Sequence, residues 1–197
     1  MDLETDITLI LGGARSGKSS FAEALAREAG GAVTFIATAD SRDAEMEARI
    51  KLHRDRRPAD WLTWEGEMES LPDEIAEMRG TLLLDCLTMY LSRLFLASPL
   101  SESDCEDAWL AEESRILARV ERLFAGFAAY DACGERRRLI VVSNEVGLGL
   151  VPPFVQGRRF RDVQGRANQI AARFAGSVAF MAAGLPMWMK GGWKNVD

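Results

Sequence analysis

Eight consecutive residues, Gly12-Gly13-Ala14-Arg15-Ser16-Gly17-Lys18-Ser19, carry the pattern G-x-x-x-x-G-K-S. Each fixed position has a task in holding a polyphosphate. The glycines let the backbone turn tightly, so that amide N–H groups point at phosphate oxygens. A helix that follows such a loop aims its positive end at the same charge. Lys18 supplies a cation to the β- and γ-phosphates, and the Ser19 hydroxyl is suited to ligate Mg2+. The pattern stands between an apolar run, Ile7 to Leu11, and a helical stretch. That context separates it from a chance glycine-rich turn, and it implies that a nucleoside triphosphate is held here.

A second acid belongs with the loop. Thr81-Leu82-Leu83-Leu84-Asp85 reads as an apolar strand ending in a carboxylate. In phosphate-loop proteins such an acid holds the magnesium shell, although Asp at this point also suits the N-cap of the helical stretch Leu87 to Ala97. Together these residues imply only a nucleotide-binding fold, which kinases, motors and small GTPases share. No T-K-x-D-type guanine-reading motif follows a late strand, which argues against an ordinary small GTPase.

The third group lies between Ile36 and Glu65. His53, the one histidine of the chain, stands beside Arg54, Asp55, Arg56 and Arg57. Neutral imidazole is a good nucleophile toward phosphorus, and neighbouring guanidiniums would lower its pKa and neutralise phosphate charge. A surface histidine in a basic turn fits the residue types as well. Glu45, Arg49 and His53 are spaced i, i+4, i+8 and share one face if the helix predicted from Arg42 reaches His53.

The elements that must position these groups are legible as hydrophobic runs. Strands are expected at Ile7–Leu11, Val33–Ala37, Trp61–Glu65, Thr81–Asp85, Leu139–Val142 and Val178–Ala183. Helices are expected at Ser20–Glu28, Arg42–Leu52, Leu71–Met78, Leu87–Ala97, Asp104–Tyr130 and Phe160–Gly176. Ser98 to Ser103 reads as a loop. Apolar strands separated by helices predict an α/β fold with a mostly parallel central sheet covered on both faces. Ser143 to Gly147 would then emerge at the carboxyl edge of the sheet, where ligands bind in open α/β folds; a turn held by Asn144 side-chain bonds is the plainer reading. Arg158, Arg159, Arg161 and Arg166 read mostly as a solvated helix face, with some suited to meet a substrate phosphate or a neighbouring subunit. The tail from Met187 fits no element and either packs over a neighbour or stays loose.

Bulk composition narrows the partners. The 197 residues carry a net charge of −6, which does not favour wrapping nucleic acid. The length suits one domain, residues 1–197. No apolar run approaches the roughly 18 residues of a membrane span, and Met1 to Asp6 is acidic, unlike a secretory leader. Cys86, Cys105 and Cys133 lack metal-ligand spacing and read as reduced thiols of a cytoplasmic protein.

Beyond the loop, the order of short motifs is specific. I-A-T-A falls at Ile36 to Ala39, E-M-x-x-R-I-x-x-H at Glu45 to His53, R-P-x-x-W at Arg57 to Trp61, and D-C-L-T at Asp85 to Thr88. S-N-E-V-G-x-G-x-V-P follows at Ser143 to Pro152, and F-R-D-x-x-G-R-x-N-Q at Phe160 to Gln169. With the phosphate loop, this series resembles the bifunctional adenosylcobinamide kinase / adenosylcobinamide-phosphate guanylyltransferase family of cobalamin biosynthesis over nearly the whole chain. Pro153 to Gly157 and the tail past Lys190 depart from the family pattern.

The resemblance implies a three-layer P-loop NTPase (RecA-like) fold and two reactions. ATP or GTP would phosphorylate adenosylcobinamide, and GMP from GTP would then be transferred to adenosylcobinamide phosphate with release of pyrophosphate. The second reaction would pass through a guanylylated histidine, which falls on His53. Nucleotide contacts are implied for Gly12 to Ser19, for Ala37, Thr38 and Ala39, for Arg54, Asp55, Arg56 and Arg57, and for Glu65 and Asp85. Lys18 would act in catalysis, and Ser19 and Asp85 would hold Mg2+. Glu65 is suited to accept from guanine N1–H and N2–H. The family's assembly suggests a homo-oligomer, a trimer built on helix contacts such as Asp104 to Tyr130. A monofunctional small-molecule kinase with a structural His53, or a nucleotide-binding regulatory module, are the competing readings.

Overall fold

The computed structural model describes residues 6–39, 57–129 and 137–193. Seven strands form one sheet: β1 (Ile7–Gly12), β2 (Val33–Ala37), β3 (Leu62–Trp64), β4 (Thr81–Asp85), β5 (Arg138–Asn144), β6 (Ser177–Ala182) and β7 (Leu185–Lys190). Their order is β3-β2-β4-β5-β1-β6-β7. All neighbouring pairs are parallel except β6 and β7. Among the described residues five α-helices accompany them: α1 (Lys18–Ala29), α2 (Leu71–Glu77), α3 (Leu87–Ala97), α4 (Glu106–Ala128) and α5 (Val155–Phe174).

The central strands are buried on both faces, which is why they read as continuous apolar runs rather than as alternations. Alternate residues nevertheless serve different cores. Leu9, Leu82, Leu84, Leu139 and Val141 face a large cluster completed by α2, α3, α4 and α5. Ile10, Leu83, Ile140 and Val142 face a smaller one completed by Ala22, Leu25 and Ala26 of α1. Helices thus cover both faces, giving three layers. On α4 the buried side chains Trp109, Ile116, Val120, Leu123 and Phe127 follow helical spacing, and Glu106 and Asp107 complement the positive end of its first turn.

Four expectations change. The stretch from Ser98 to Ser103 contains a short 3-10 helix, Pro99–Glu102, started by Ser98 Oγ accepting from Leu100 N. The helix expected from Phe160 begins at Val155, just after Pro152-Pro153. The tail is neither loose nor structureless up to Trp193: β7 pairs along β6, and Trp193 packs against the α1-side core with the Arg138 guanidinium over its ring. Arg159 is not part of a solvated face. It is 8% exposed, donates to the carbonyls of Leu100, Ser101 and Ser103, pairs with Glu106 and lies over Trp109. The helix predicted at Arg42–Leu52 lies outside the described residues. No helix among them is long and apolar enough to cross a membrane.

Candidate active site

A parallel sheet delivers the carboxyl ends of its strands to one edge. Here Gly12 of β1 is in register with Asn144 of β5 and Met181 of β6, and Asp85 of β4 with Ala37 of β2 and Val142 of β5. One strand separates β4 from β1, so Asp85 lies about 10 Å across the sheet from the start of the phosphate loop.

The loop is shaped by close approaches. A Cβ on Gly12 would stand 2.6 Å from the Met181 carbonyl and 2.8 Å from Ser16 Oγ. Gly17 has φ +95° and forms the N-cap of α1, with no side chain capping the helix. The first-turn amides of α1 are therefore left facing whatever the loop holds. Arg15 also takes a left-handed conformation, φ +55°, uncommon for a residue with a side chain.

The two-residue turn Ala183-Gly184 between β6 and β7 touches the loop from the far side. Gly184 N donates to the Ser16 carbonyl at 3.0 Å, and a Cβ on Gly17 would lie 3.1 Å from Gly184 Cα. The sequence reading missed this partner. Its signal was present: apolar runs on either side of Ala183-Gly184 make a hairpin pattern.

Lys18 is buried, and its ammonium donates to the Gly13 carbonyl at 2.5 Å and to Ser16 Oγ at 3.4 Å. Burial lowers its pKa; the fields of Cys86 and Asp85 oppose that shift. Burial pushes the Cys86 thiol up to about 12, so it is neutral near pH 7.

Asp85 is half-buried, and the peptide bond to Cys86 is cis. The backbone beyond it is held from two sides. Thr38, wholly buried, donates its hydroxyl to the Cys86 carbonyl at 2.8 Å and accepts from the Cys86 N–H at 2.7 Å. Thr88 Oγ1 accepts from Asn144 N at 2.9 Å. Asn168 Nδ2 donates to the Asn144 carbonyl, and Ser143, Gln164 and Asn168 bond one another in a buried triangle. The D-C-L-T, S-N-E-V and G-R-x-N-Q segments are thus one connected polar network behind the sheet edge. Sequence reasoning singled out these segments without finding that they meet, because the pairing joins residues 56 and 25 positions apart.

The remaining residues are placed as follows. Ala37 ends β2, and Ala39 lies just beyond Thr38. Arg57 sits with its guanidinium 3.3 Å over the Phe35 ring. Glu65 is exposed, one residue past β3, where Trp64 is in register with Ile36. Ser19 is half-buried in the first turn of α1. His53, Arg54, Asp55 and Arg56 lie outside the described residues. Asn144 Nδ2 approaches Cys86 Sγ at 3.9 Å, and its main chain is held by Thr88 and Asn168.

Three known proteins are similar to the chain over almost their full length. The bifunctional adenosylcobalamin biosynthesis protein CobP of Pseudomonas aeruginosa is 44% identical over 187 residues, covering 93% of this chain and 96% of that protein. The corresponding CobU proteins of Salmonella typhimurium and Escherichia coli are 37% and 36% identical over 185 residues, each covering 92% of this chain and 98% of theirs. The family model described as cobinamide kinase / cobinamide phosphate guanyltransferase matches residues 8–189, a span that runs from β1 into β7. The chain belongs to the cobinamide kinase / cobinamide phosphate guanyltransferase family.

Proposed function

We propose that the chain performs both reactions for which its family is named: phosphorylation of a cobinamide hydroxyl, and transfer of GMP from GTP to the cobinamide phosphate. The observation that carries this reading is the convergence at one sheet edge of an uncapped helix N-terminus, the buried Lys18 and the Asp85 carboxylate.

In the first step the acceptor hydroxyl attacks the γ-phosphorus in line. Its oxygen–phosphorus bond forms as the bridging bond to the β-phosphate breaks, and a nucleoside diphosphate leaves. Lys18 and the α1 amides neutralise charge on the non-bridging oxygens. Oxygen donors from Ser19 and Asp85 suit magnesium, which when bound would screen the phosphate charge. Among the described residues no cluster of three His, Cys, Asp or Glu side chains could hold a metal alone. An ion here would complete its shell from water and the nucleotide, the usual habit of magnesium.

In the second step His53 attacks the α-phosphorus of GTP and pyrophosphate leaves. An oxygen of the cobinamide phosphate then displaces the histidine and takes the GMP. Arg54, Asp55, Arg56 and Arg57, with Ala37, Thr38 and Ala39, flank the nucleotide in this reading, and Glu65 accepts from the guanine edge. The same reading takes residues 1–197 as one nucleotide-binding domain of a cytoplasmic protein that self-associates, with α4 offering a surface for a trimer.

Incubation with α-labelled GTP and Mg2+ tests the central claim. Acid-labile label on the wild-type protein, absent from His53→Asn, is the expected result. An unlabelled wild type that still phosphorylates cobinamide would leave a kinase alone. Equal labelling of His53→Asn would remove the histidine from its role.

A further inference from the structure

Five of the exposed large apolar side chains crowd into the eight residues 148–155. Leu148 is 82% exposed, Leu150 97% and Phe154 77%, with Val151 and Val155 between and beyond them. Concentrated apolar exposure of this kind marks a recognition surface. The segment is also held in shape. Arg158 Nη1 donates to the carbonyls of Pro152 at 3.2 Å and Pro153 at 2.7 Å, and Gly147 N donates to Glu145 Oε1. Three residues before it the chain is fixed to the phosphate loop, for Glu145 N donates to the Gly12 carbonyl at 3.0 Å. The chain is therefore held on either side of these apolar side chains, close in sequence to the phosphate loop.

We propose that this segment, with the adjoining part of α5, is the surface on which the corrinoid acceptor lies. The inference rests on the cobinamide kinase reading above. A corrinoid is a rigid macrocycle with broad apolar faces and a rim of carboxamide arms. Drug-sized ligands already fill pockets of about 300–1,000 Å³, and a corrinoid is larger. Two hollows among the described residues measure 220 and 410 Å³. Neither of these two takes the macrocycle; an open surface beside the phosphate loop does. The apolar segment provides that surface. The 410 Å³ hollow joins it at Gly147 and is lined by Arg161, Asp162, Gly165, Arg166 and Gln169. Its polar side chains offer donors and acceptors to carboxamide arms, and Arg161 and Arg166, paired with Asp162 and Glu113, add positive charge for the phosphate that the acceptor carries into the second reaction. The other hollow lies between α3 and α4, and its lining includes no residue of the phosphate loop or of this segment.

The test is a double substitution, Leu150→Ser with Phe154→Ser, in the full chain. Both side chains are exposed, and serine is favoured at the helix N-cap that Phe154 occupies, so the melting temperature should not fall. KM for cobinamide in the kinase reaction should rise about tenfold or more, as loss of two apolar contacts implies. KM for the nucleotide and the mass from light scattering should not change. An unchanged cobinamide KM would overturn the inference. So would a fall in mass on substitution, since the patch would then cover a second copy of the chain. Failure of wild type itself to phosphorylate cobinamide would sink the functional reading instead, and the wild-type arm shows that separately.

Discussion

Thr38 offers the sharpest test of how the site edge is held. Its hydroxyl is wholly buried and makes two bonds to the Cys86 backbone, donating at 2.8 Å and accepting at 2.7 Å. Thr38→Val keeps the shape and removes both. Each bond contributes about 1 kcal/mol, and a buried backbone group left unpaired costs about 1–3 kcal/mol. Allowing for the methyl gained, the expected loss is about 3 kcal/mol. For a chain of this size each kcal/mol shifts melting by about 2–4 °C, so Thr38→Val should melt roughly 6–12 °C lower. Thr38→Ser keeps the hydroxyl and loses one methyl, about 1 kcal/mol, or roughly 2–4 °C. Thermal unfolding followed by circular dichroism measures both. Because the hydroxyl is kept, Thr38→Ser should also leave nucleotide KM within about twofold. Equal melting of the valine variant and wild type would refute this reasoning. A large rise in nucleotide KM for Thr38→Val at unchanged melting would make the hydroxyl a nucleotide ligand, not a brace.

Three other outcomes are expected. Lys18→Met should lower kcat/KM of the kinase reaction by about 10²–10³, yet leave stability equal or higher, because a lowered lysine pKa means that burial disfavours its charge; an activity within tenfold of wild type contradicts the assignment. Gly17→Ala places a side chain at φ +95° and 3.1 Å from Gly184 Cα, so a loss of about 1–3 kcal/mol with weaker nucleotide binding is expected, and urea unfolding superimposable on wild type would show that the approach is tolerated. Burial holds the Cys86 thiol protonated up to about pH 12, and only the thiolate is alkylated; iodoacetamide at pH 8 should modify the exposed Cys105 and spare Cys86 until unfolding, as peptide mapping would reveal.

The parts of the fold written in local runs were legible. β4 was predicted with the boundaries it has, and so was α3, because an unbroken apolar run and a helical apolar pattern each declare their own ends, although the N-cap of α3 is Cys86 and not Asp85, with no side chain capping it. The phosphate loop was legible for the same reason, since its pattern is contiguous. What escaped was long-range. Arg159 reads as one charge among four on a helix, and nothing local says that three carbonyls around the 3-10 helix wait for it. Met187 to Lys190 reads as an untyped tail because an exposed edge strand has no buried face to impose alternation. Thr38 stood out as a nucleotide contact, while its hydroxyl bonds to a backbone 48 residues away.

The placement of β1 has a consequence for how the protein comes to be folded. The first strand sits between β5 and β6, pairing Thr8 with Ile140 on one side and Ser177 on the other. Its partners there stand 132 and 169 residues further along the chain. The contact from Gly184 to Ser16 closes later still in chain order. Pairings of such separation must meet the cost of closing long loops before they are rewarded. The nucleotide-holding loop is contiguous in sequence, yet the wall behind it is built from segments more than 100 residues further on. Bound nucleotide would then act as a late seal on assembly, stabilising only the chain in which the final hairpin has docked.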